Sequence, residues 1–581
     1  MDNADIAKVF FELADLMEFH QVVDFKVRAF RSAAQIIENL PEPCTDMLRE
    51  GTLAEVPRIG EGIVRRVAEL CRTGTLAELE ELRKRAPAGL AEILRIDGMG
   101  PRSTELVWHE LGITTVDELE AAAKAQRLRG LPRFGAKKEE KLLAAIAAHR
   151  RASGRYKLTQ AYPHAEALVR QLRKLPEVLR IEACGTIRRR RDTVGDIDLL
   201  VATRQEHAVA VAERFVHLPE VRDVVAHGET KCTVHLKDGI QVDLRIVPPE
   251  SWGAALHYFT GSKEHNIAIR GLAVRRGLKI NEYGIFGEDD QRLGGEEERE
   301  IFAAVGLPYI EPELRENRGE IEAAAEGRLP HLVEERDIRG DLHMHTNETD
   351  GQATLEAMVA EARRLGREYV AITDHSQALS MALGLDPTRL RAQGRQIDAL
   401  NDKLGGRPHV LRGIEADILA DGSVDLGPEV LRELDWVVAS VHSMFGLPRA
   451  EQTRRIVRAL ESGVVDCLGH PTGRLIGQRE PYAVDLEAVL DAARRVGAAV
   501  ELNAFPDRLD LWDVHLRMAQ QMGVPVVIST DSHAPFHMLH MRYGVWTARR
   551  GWLEPKDVAN TLPLRELRAR FAHHHRQLAH A

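Results

Sequence analysis

At 581 residues, with 44% hydrophobic and 29% charged side chains, the chain is long enough for several buried cores and ordinary in composition for a globular protein. Its net charge of −10 excludes a uniformly basic nucleic-acid binder, although a local basic groove can sit in an acidic protein. No apolar run is long enough for a bilayer and the start, MDNADIAKVF, lacks a signal-peptide pattern; the five scattered cysteines form no CxxC pair, so a reducing cytoplasm and no membrane partner are expected.

Residues 1–150 read as helical throughout, and a small pattern recurs in them: VPRIGEGIVRRVAEL at 56–70, RIDGMGPRSTELV at 95–107 and LPRFGAKKEEKLL at 131–143. Each copy is an apolar residue, a glycine-rich hairpin and a helix. Such a hairpin aims free backbone N–H groups and a helix N-terminus at an anion, and DNA phosphate suits it without base preference. A single GxG is usually only a turn. Repetition makes Gly60, Gly62, Gly98 and Gly100 expected DNA-backbone contacts of a helix-hairpin-helix region. The third copy is poorest, because Ala136 and Lys137 replace its second glycine.

Residues 181–201, IEACGTIRRRRDTVGDIDLLV, hold a different chemistry. GDIDLLV reads as a strand with Asp196 and Asp198 on one face, and GIQVDLRIV at 239–247 offers Asp243 on a second strand. Three such carboxylates can hold two Mg²⁺ or Mn²⁺ about 3.5–4 Å apart, the arrangement for in-line phosphoryl transfer. Gly185, Thr186 and the run Arg188 to Arg191 are donors suited to a triphosphate. Either motif alone is common on surfaces. GETK at 228–231, YFTGS at 258–262, Asn266, Arg270 and NEYG at 281–284 follow in order, and with GTxxR and GDID they resemble the family X DNA polymerases, gap-filling repair enzymes, over about residues 1–315.

The resemblance implies a bacterial, nucleoid-associated monomer that binds primer-template or gapped DNA and dNTPs. It makes Asp196, Asp198 and Asp243 the catalytic metal-binding triad, and Thr186 and Arg189 the holders of the β,γ-phosphates. Gly195 would keep the backbone close to those phosphates, and Gly185 would bind the nucleotide beside Thr186. Tyr258, Phe259 and Gly261 would line the sugar pocket, and Lys263 and Asn266 would contact the nucleotide, Asn266 at the base's minor-groove edge. Arg270 would touch the template and Lys231 the DNA backbone. Three positions depart from the pattern. Thr186 replaces serine but keeps the hydroxyl, and Gln241 stands where the mammalian repair enzyme has arginine. Arg66 stands where some members carry the Schiff-base lysine of a 5′-deoxyribose-phosphate lyase. A guanidinium stays protonated and cannot form the imine, and no lysine occurs between Lys26 and Lys84, so lyase activity by that route is expected to be weak or absent.

The hydrophilic stretch 311–338 predicts an exposed connector with one helix, and the acidic runs 288–290 and 296–298 predict solvated loops. Beyond it, seven apolar runs each end on an acid, a histidine or an asparagine: GDLHMHT at 340–346, YVAITDH at 369–375, HVLRGIE at 409–415, WVVASVH at 436–442, VVDCLGH at 464–470, AAVELN at 498–503 and PVVISTDSH at 525–533. Strand then helix, repeated, implies a parallel barrel whose strand ends share one mouth. That mouth collects His343, His345, Asp350, His375, Glu415, His442, His470, Asp531 and His533. Imidazole and carboxylate without thiolate favour Zn, Mn or Fe, and nine ligands suit two or three ions and a hydrolytic phosphoesterase. Asn503 breaks the series and is expected to support the ligands rather than to be one. The triple histidine 573–575 is expected in an exposed helical tail.

The HxH opening, Asp350 in TDG, the TDH at 373–375, Glu415, His442, His470 and the terminal DSH resemble the PHP (polymerase and histidinol phosphatase) family over about 339–575. The resemblance implies a distorted seven-stranded barrel with three metals, Mn²⁺ foremost. His343, His345, Glu415 and Asp531 would hold one, Glu415 would bridge to a second held by His442 and His470, and Asp350, His375 and His533 would hold the third.

The expected architecture is multidomain: an all-α helix-hairpin-helix region (1–80 and 81–155), an α/β nucleotidyltransferase-type palm (156–250), a small α+β nucleotide-selection subdomain (251–315), a linker (316–338) and a distorted (β/α)7 barrel (339–575). The expected function is gap-filling DNA synthesis joined to a 3′–5′ exonuclease. The alternatives are a barrel acting on small phosphates such as pyrophosphate, a barrel that is only a metal-stabilised platform, or a DNA-end scaffold with a vestigial polymerase.

Overall fold

The computed structural model describes residues 3–572 except 20–23, 39–43, 57, 74, 80–81, 83–89, 95, 97, 133 and 153–154, so the triple histidine at 573–575 lies outside the described residues. The chain forms two compact units, one of residues 1–154 with 477–479 and one of 155–476 with 480–581.

The first unit is helical, as expected, from Asn3–Phe19 to Ala136–Ala152. Its helices place apolar residues every third or fourth position, so Ile63, Val67 and Leu70 of Glu61–Thr73 enter one core with Phe10, Leu13, Leu119 and Ile146. In the second hairpin Gly98 has φ +83°, and Gly100 leads into Pro101–Leu111 with proline at its first turn.

The second unit begins with a two-stranded antiparallel pair, β1 (Tyr156–Lys157) and β3 (Thr193–Val194). The palm sheet has five strands in the order β2-β4-β7-β6-β5: β2 (Arg180–Ala183), β4 (Ile197–Ala202), β7 (Gln241–Val247), β6 (Lys231–Leu236) and β5 (Val221–His227). The helices Leu158–Leu172 and Ala208–Val216 share a core with Leu199, Val234 and Leu244 of the sheet. Trp252–Thr260 packs on Leu200, Ala202 and Val247. The small subdomain adds an antiparallel sheet β10-β9-β8 (Arg292–Gly294, Gly284–Phe286, Lys279–Asn281) and the helices Lys263–Val274 and Glu298–Ala304 around Phe302.

The expectation of an exposed connector is corrected here. Residues 311–338 do contain one helix, Glu320–Ala325, but Arg315, Glu320 and Val333 are fully buried. The charges that made the stretch read as solvated are paired across long sequence distances: Arg315 with Glu298 at 2.5 Å, Glu313 with Arg549 at 2.7 Å and Glu320 with His265 at 2.7 Å. Glu298, expected in a solvated loop, is instead buried at the centre of this network, and its two arginines hold its carboxyl far below the usual range against the opposing effect of burial.

Seven parallel strands complete the unit in chain order: β11 (Gly340–Asp341), β12 (Tyr369–Ile372), β13 (His409–Asp417), β14 (Trp436–Ser440), β15 (Cys467–Leu468), β16 (Ala499–Asn503) and β17 (Val526–Ser529). The strands are buried almost throughout because helices cover the outside of the sheet and side chains fill its interior, which explains their near-continuous apolar sequence. A parallel bridge between Met344 and Ser532 brings the first and last strands together, giving the nearly closed barrel. Ile476, Leu509 and Tyr543 of the barrel half enter the palm core, so palm and barrel are packed as one body.

Candidate active sites in the palm and the barrel

All nine expected barrel residues converge. Three overlapping groups have ligand atoms within 4.8 Å of one another: His345, Asp350, His375 and His533; His343, His345 and Glu415; and His375, Glu415 and His442. Glu415 is the hub. Its Oε2 lies 3.4 Å from His343 Nε2 and 2.9 Å from His375 Nδ1, and its Oε1 lies 3.2 Å from His442 Nε2 and 3.0 Å from His470 Nε2. Asp531 lies 3.1 Å from His345 Nε2, and Asp350 reaches His375 and His533 at 3.3 and 3.4 Å.

The electrostatics fit divalent cations. Burial lowers the basicity of His343, but Glu501, Glu415 and Asp531 together outweigh it and raise the ring well above its ordinary value. The same balance lifts His442 to about 9, with Glu415 and Asp417 opposing burial. Burial would raise the Glu415 carboxyl; His442, His343 and His375 instead hold it well below its usual range. The cluster of acids therefore demands positive charge, and metal binding would displace these protons. His343 Nε2 is buried, forms no hydrogen bond and points between Glu415 and Asp531, as a ligand nitrogen would.

Several supporting residues escaped the sequence reading. Glu501 accepts from His343 Nδ1 at 2.7 Å and Asp417 from His442 Nδ1 at 2.6 Å, each fixing which ring nitrogen faces the site. Both were findable by strand alternation: Glu501 stands two before Asn503, and Asp417 two after Glu415. Asn503 itself donates to Asp531 Oδ2 at 3.0 Å, the supporting role expected of it. Asp374 ties the loop after β11 by accepting from Thr346 N and Gln393 Nε2.

In the palm, β4 and β7 run parallel with Asp198 directly opposite Asp243, and with Asp196 they form a second group of converging carboxylates. Thr233 and Gln241 both donate to Asp243, Gln241 at 2.7 Å, so the departure at Gln241 places an amide against the triad. Burial first, and then Asp196 and Asp243, push Asp198 up to about 7. Burial and Asp243 raise Asp196. Gly185 is required by two constraints: its φ is +58°, and a Cβ there would overlap the Asp198 carboxylate.

These shifts predict a pH effect. A carboxyl whose folded pKa is raised stabilises the fold below its unfolded value, near 4, and that contribution is lost as pH rises through about 7. In metal-free buffer at pH 8, Asp198→Asn should therefore melt roughly 2–5 °C above the parent, discounted for partial exposure, with little difference at pH 4. Thermal unfolding in a chelating buffer at both pH values checks this.

The residues expected at a nucleotide site are placed less uniformly. Thr186 Oγ1 is buried without a hydrogen-bond partner. The arginine run splits, which corrects its reading as a set of phosphate donors. Arg188 pairs with Glu298 at 2.6 Å, and Arg190 stacks on Trp546 and Tyr162 at 4.0 and 4.8 Å. Arg191 lies 3.4 Å from Glu316. Arg189 is the member of the run whose charge opposes the upward shift of Asp198. Its Nε donates to Glu316 at 3.1 Å and its Nη1 to the Thr260 carbonyl. Gly195, Tyr258, Phe259, Gly261 and Lys263 lie on the segments bordering the triad and the Trp252–Thr260 helix, with Tyr258 and Lys263 exposed. Asn266 is buried and donates to the Tyr258 carbonyl at 2.8 Å. Lys231 is exposed on β6, and exposed Arg270 donates to the Asn266 carbonyl at 3.3 Å.

In the helical unit, a Cβ at Gly60, Gly98 or Gly100 would meet nothing within 4 Å, so these hairpins face open space. In the third copy, buried Glu139 accepts from the Arg129 backbone at 3.0 Å and pairs with its guanidinium at 2.8 Å, placing a carboxylate at that hairpin. Arg66 is bound to Glu78 at 2.5 Å and lies over the Phe30 ring. Among the described residues no helix is long and apolar enough to cross a membrane, and the described cysteines are unpaired.

Comparison with known proteins finds matches in four regions. Residues 1–76 match a helix-hairpin-helix domain and 90–148 a SAM-like helix-hairpin-helix tandem. Residues 255–316 match the DNA polymerase beta thumb, and 341–504 the PHP domain. A probable phosphatase of Caldicellulosiruptor saccharolyticus is 32% identical over 205 residues, which are 33% of this chain and 79% of that protein. The DNA polymerase/3′-5′ exonuclease PolX of Bacillus subtilis is 37% identical over 572 residues, 98% of this chain and 99% of that protein. With a polymerase palm and thumb, helix-hairpin-helix modules and a seven-stranded PHP barrel in one chain, the protein belongs to the PolX family, the family X DNA polymerases that carry a PHP domain.

Proposed function

We propose that the chain synthesises DNA at short gaps in its palm and removes nucleotides from DNA 3′ ends in its barrel. The observation that supports this most is the pair of separate metal-ligand clusters, three carboxylates in the palm and nine histidines and acids in the barrel, in a chain related end to end to a protein named for both activities. Subdivision at 80, 155, 250, 315 and 338 follows the same reading.

In the palm, Asp196, Asp198 and Asp243 would hold two Mg²⁺ or Mn²⁺. When bound, such ions acidify the primer 3′-hydroxyl and neutralise charge on the phosphates. Thr186 and Arg189 grip the β,γ-phosphates, Tyr258, Phe259 and Gly261 screen the sugar, and Lys263 and Asn266 contact the nucleotide. Asp243, fixed by Thr233 and Gln241, is held to receive the hydroxyl proton. Lys231, Arg270 and the glycine hairpins at 60/62 and 98/100 hold DNA backbone. In the barrel, His343, His345, Glu415 and Asp531 would hold one ion, His442 and His470 a second shared with Glu415, and Asp350, His375 and His533 a third, with Mn²⁺ the working metal. Bound there, divalent ions polarise the phosphoryl group and acidify a water. Arg508, 3.6 Å from Asp531, adds a cation for the phosphodiester.

The likeness to probable phosphatases favours a second reading, hydrolysis of small phosphates. A 3′-labelled primer, pyrophosphate and p-nitrophenyl phosphate offered to the full chain in Mn²⁺ separate the two. Preference for the primer supports the exonuclease, and turnover of the small substrates alone overturns it. Lyase activity by the usual imine route is expected to be weak or absent, because Arg66 is a guanidinium paired with Glu78. Borohydride with an incised abasic substrate should trap no stoichiometric lysine adduct; one mapping to a single lysine would contradict this.

A further inference from the structure

Arg550 closes the helix Met541–Arg550 on the barrel half and is buried, yet it touches none of the nine barrel ligands. One of its partners, Asp513, heads the barrel helix Asp513–Met522; the other two, Arg189 and Glu316, lie outside the barrel. Its Nη1 donates to the main-chain carbonyl of Arg189 at 2.7 Å and to Glu316 Oε1 at 3.0 Å, and its Nη2 donates to Asp513. Glu316 Oε1 is the same oxygen that accepts from Arg189 Nε. Arg550 therefore fixes Arg189 twice, directly through the backbone and indirectly through the carboxylate that grips its side chain.

The geometry leaves Arg189 half used. A guanidinium has five N–H groups; Nε is taken by Glu316 and Nη1 meets the Thr260 carbonyl, while Nη2 forms no hydrogen bond among the described residues. Nε and Nη1 are anchored, and Nη2 is left to meet an anion. The local charge agrees: Arg189, Arg191, Arg318 and Arg550 gather round two carboxylates, Glu316 and Asp513, leaving positive charge in excess beside the aspartate triad. A polyphosphate arriving there would complete the balance without displacing Glu316.

We infer that Arg550 is a positioning residue for the polymerase reaction, a barrel-borne guanidinium that, with Glu316, presents Nη2 of Arg189 to the triphosphate of the incoming nucleotide. The inference rests on the reading of Arg189 as a phosphate contact. It also gives the palm–barrel packing a role: the barrel half completes a nucleotide site in which it has no catalytic group.

The test uses the full chain and measures dNTP KM and kcat for primer extension, shortening of the same primer without dNTPs, and melting temperature, for R189A, R550A, R550K, E316Q and the double variant R189A/R550A. R550A and E316Q should each raise the dNTP KM by roughly tenfold, with kcat within about threefold and 3′ shortening unchanged; R550K should recover part of the loss. R189A/R550A should be no worse than R189A, because both substitutions remove one interaction. If R189A leaves KM unchanged, the reading of Arg189 fails and takes the inference with it. If R189A raises KM but R550A and E316Q do not, the inference alone falls. Loss of extension and shortening together with a lowered melting temperature in R550K and E316Q would reduce Arg550 to structural cement and equally overturn it. Should R550A not fold, R550K and E316Q decide.

Discussion

Primer extension by the Asp198→Asn variant should fall by a factor on the order of 10³ or more, while shortening of the same 3′ end proceeds at its normal rate. Asp198 lies opposite Asp243 on the neighbouring strand and packs against the Gly185 turn, so it is central to the triad. Asparagine keeps its size and one acceptor oxygen but lacks the charge that two divalent ions require. The same change removes a like charge from a crowded group, so the loss is chemical and the fold is kept or strengthened. Extension assays in Mg²⁺, with shortening assayed in parallel, separate these effects. Loss of both activities would mean that palm and barrel do not work as separate sites.

His343→Ala should abolish 3′ shortening by a factor on the order of 10² to 10³ and leave extension intact. His343 is fully buried, with Nδ1 on Glu501 and Nε2 directed at Glu415 and Asp531. Alanine removes a ligand and strands three buried carboxylates beside a cavity. A stability loss of about 3 kcal/mol in the metal-depleted protein follows, because breaking one side of a buried charge cluster leaves the other uncompensated. Chelation of the parent enzyme should reproduce the catalytic loss, and added Mn²⁺ should restore the parent but not the variant. Full shortening activity in His343→Ala would make the barrel a metal-stabilised platform.

The barrel was legible from sequence because six of the seven strand runs end on an expected ligand, with Asn503 the exception, and strand alternation dictates which side chains share a face. Glu501 and Asp417 follow the same rule but lie two residues before and two residues after the ends of their runs, at Asn503 and Glu415. The palm triad was legible for the same reason: β4 and β7 carry Asp198 and Asp243 in register. What the sequence hid was the pairing of charges far apart in the chain. Glu298 and the segment 311–338 looked solvated because sequence shows a charge but not its partner, and their partners Arg188, Arg315 and Arg549 come from three different segments. The arginine run was misread as a unit for a similar reason. Four consecutive residues around a tight turn, with Arg190 at φ +57°, point in different directions and meet different elements.

The central claim is that synthesis and scission occupy two distinct centres, and one experiment addresses it: a labelled primer-template incubated in Mg²⁺ or Mn²⁺, with and without dNTPs, with the parent, Asp198→Asn and His343→Ala. The parent should lengthen the primer when dNTPs are present and shorten it when they are absent. Asp198→Asn should only shorten it, and His343→Ala should only lengthen it. A single substitution that silences both reactions, or shortening that persists undiminished in His343→Ala, would contradict the account.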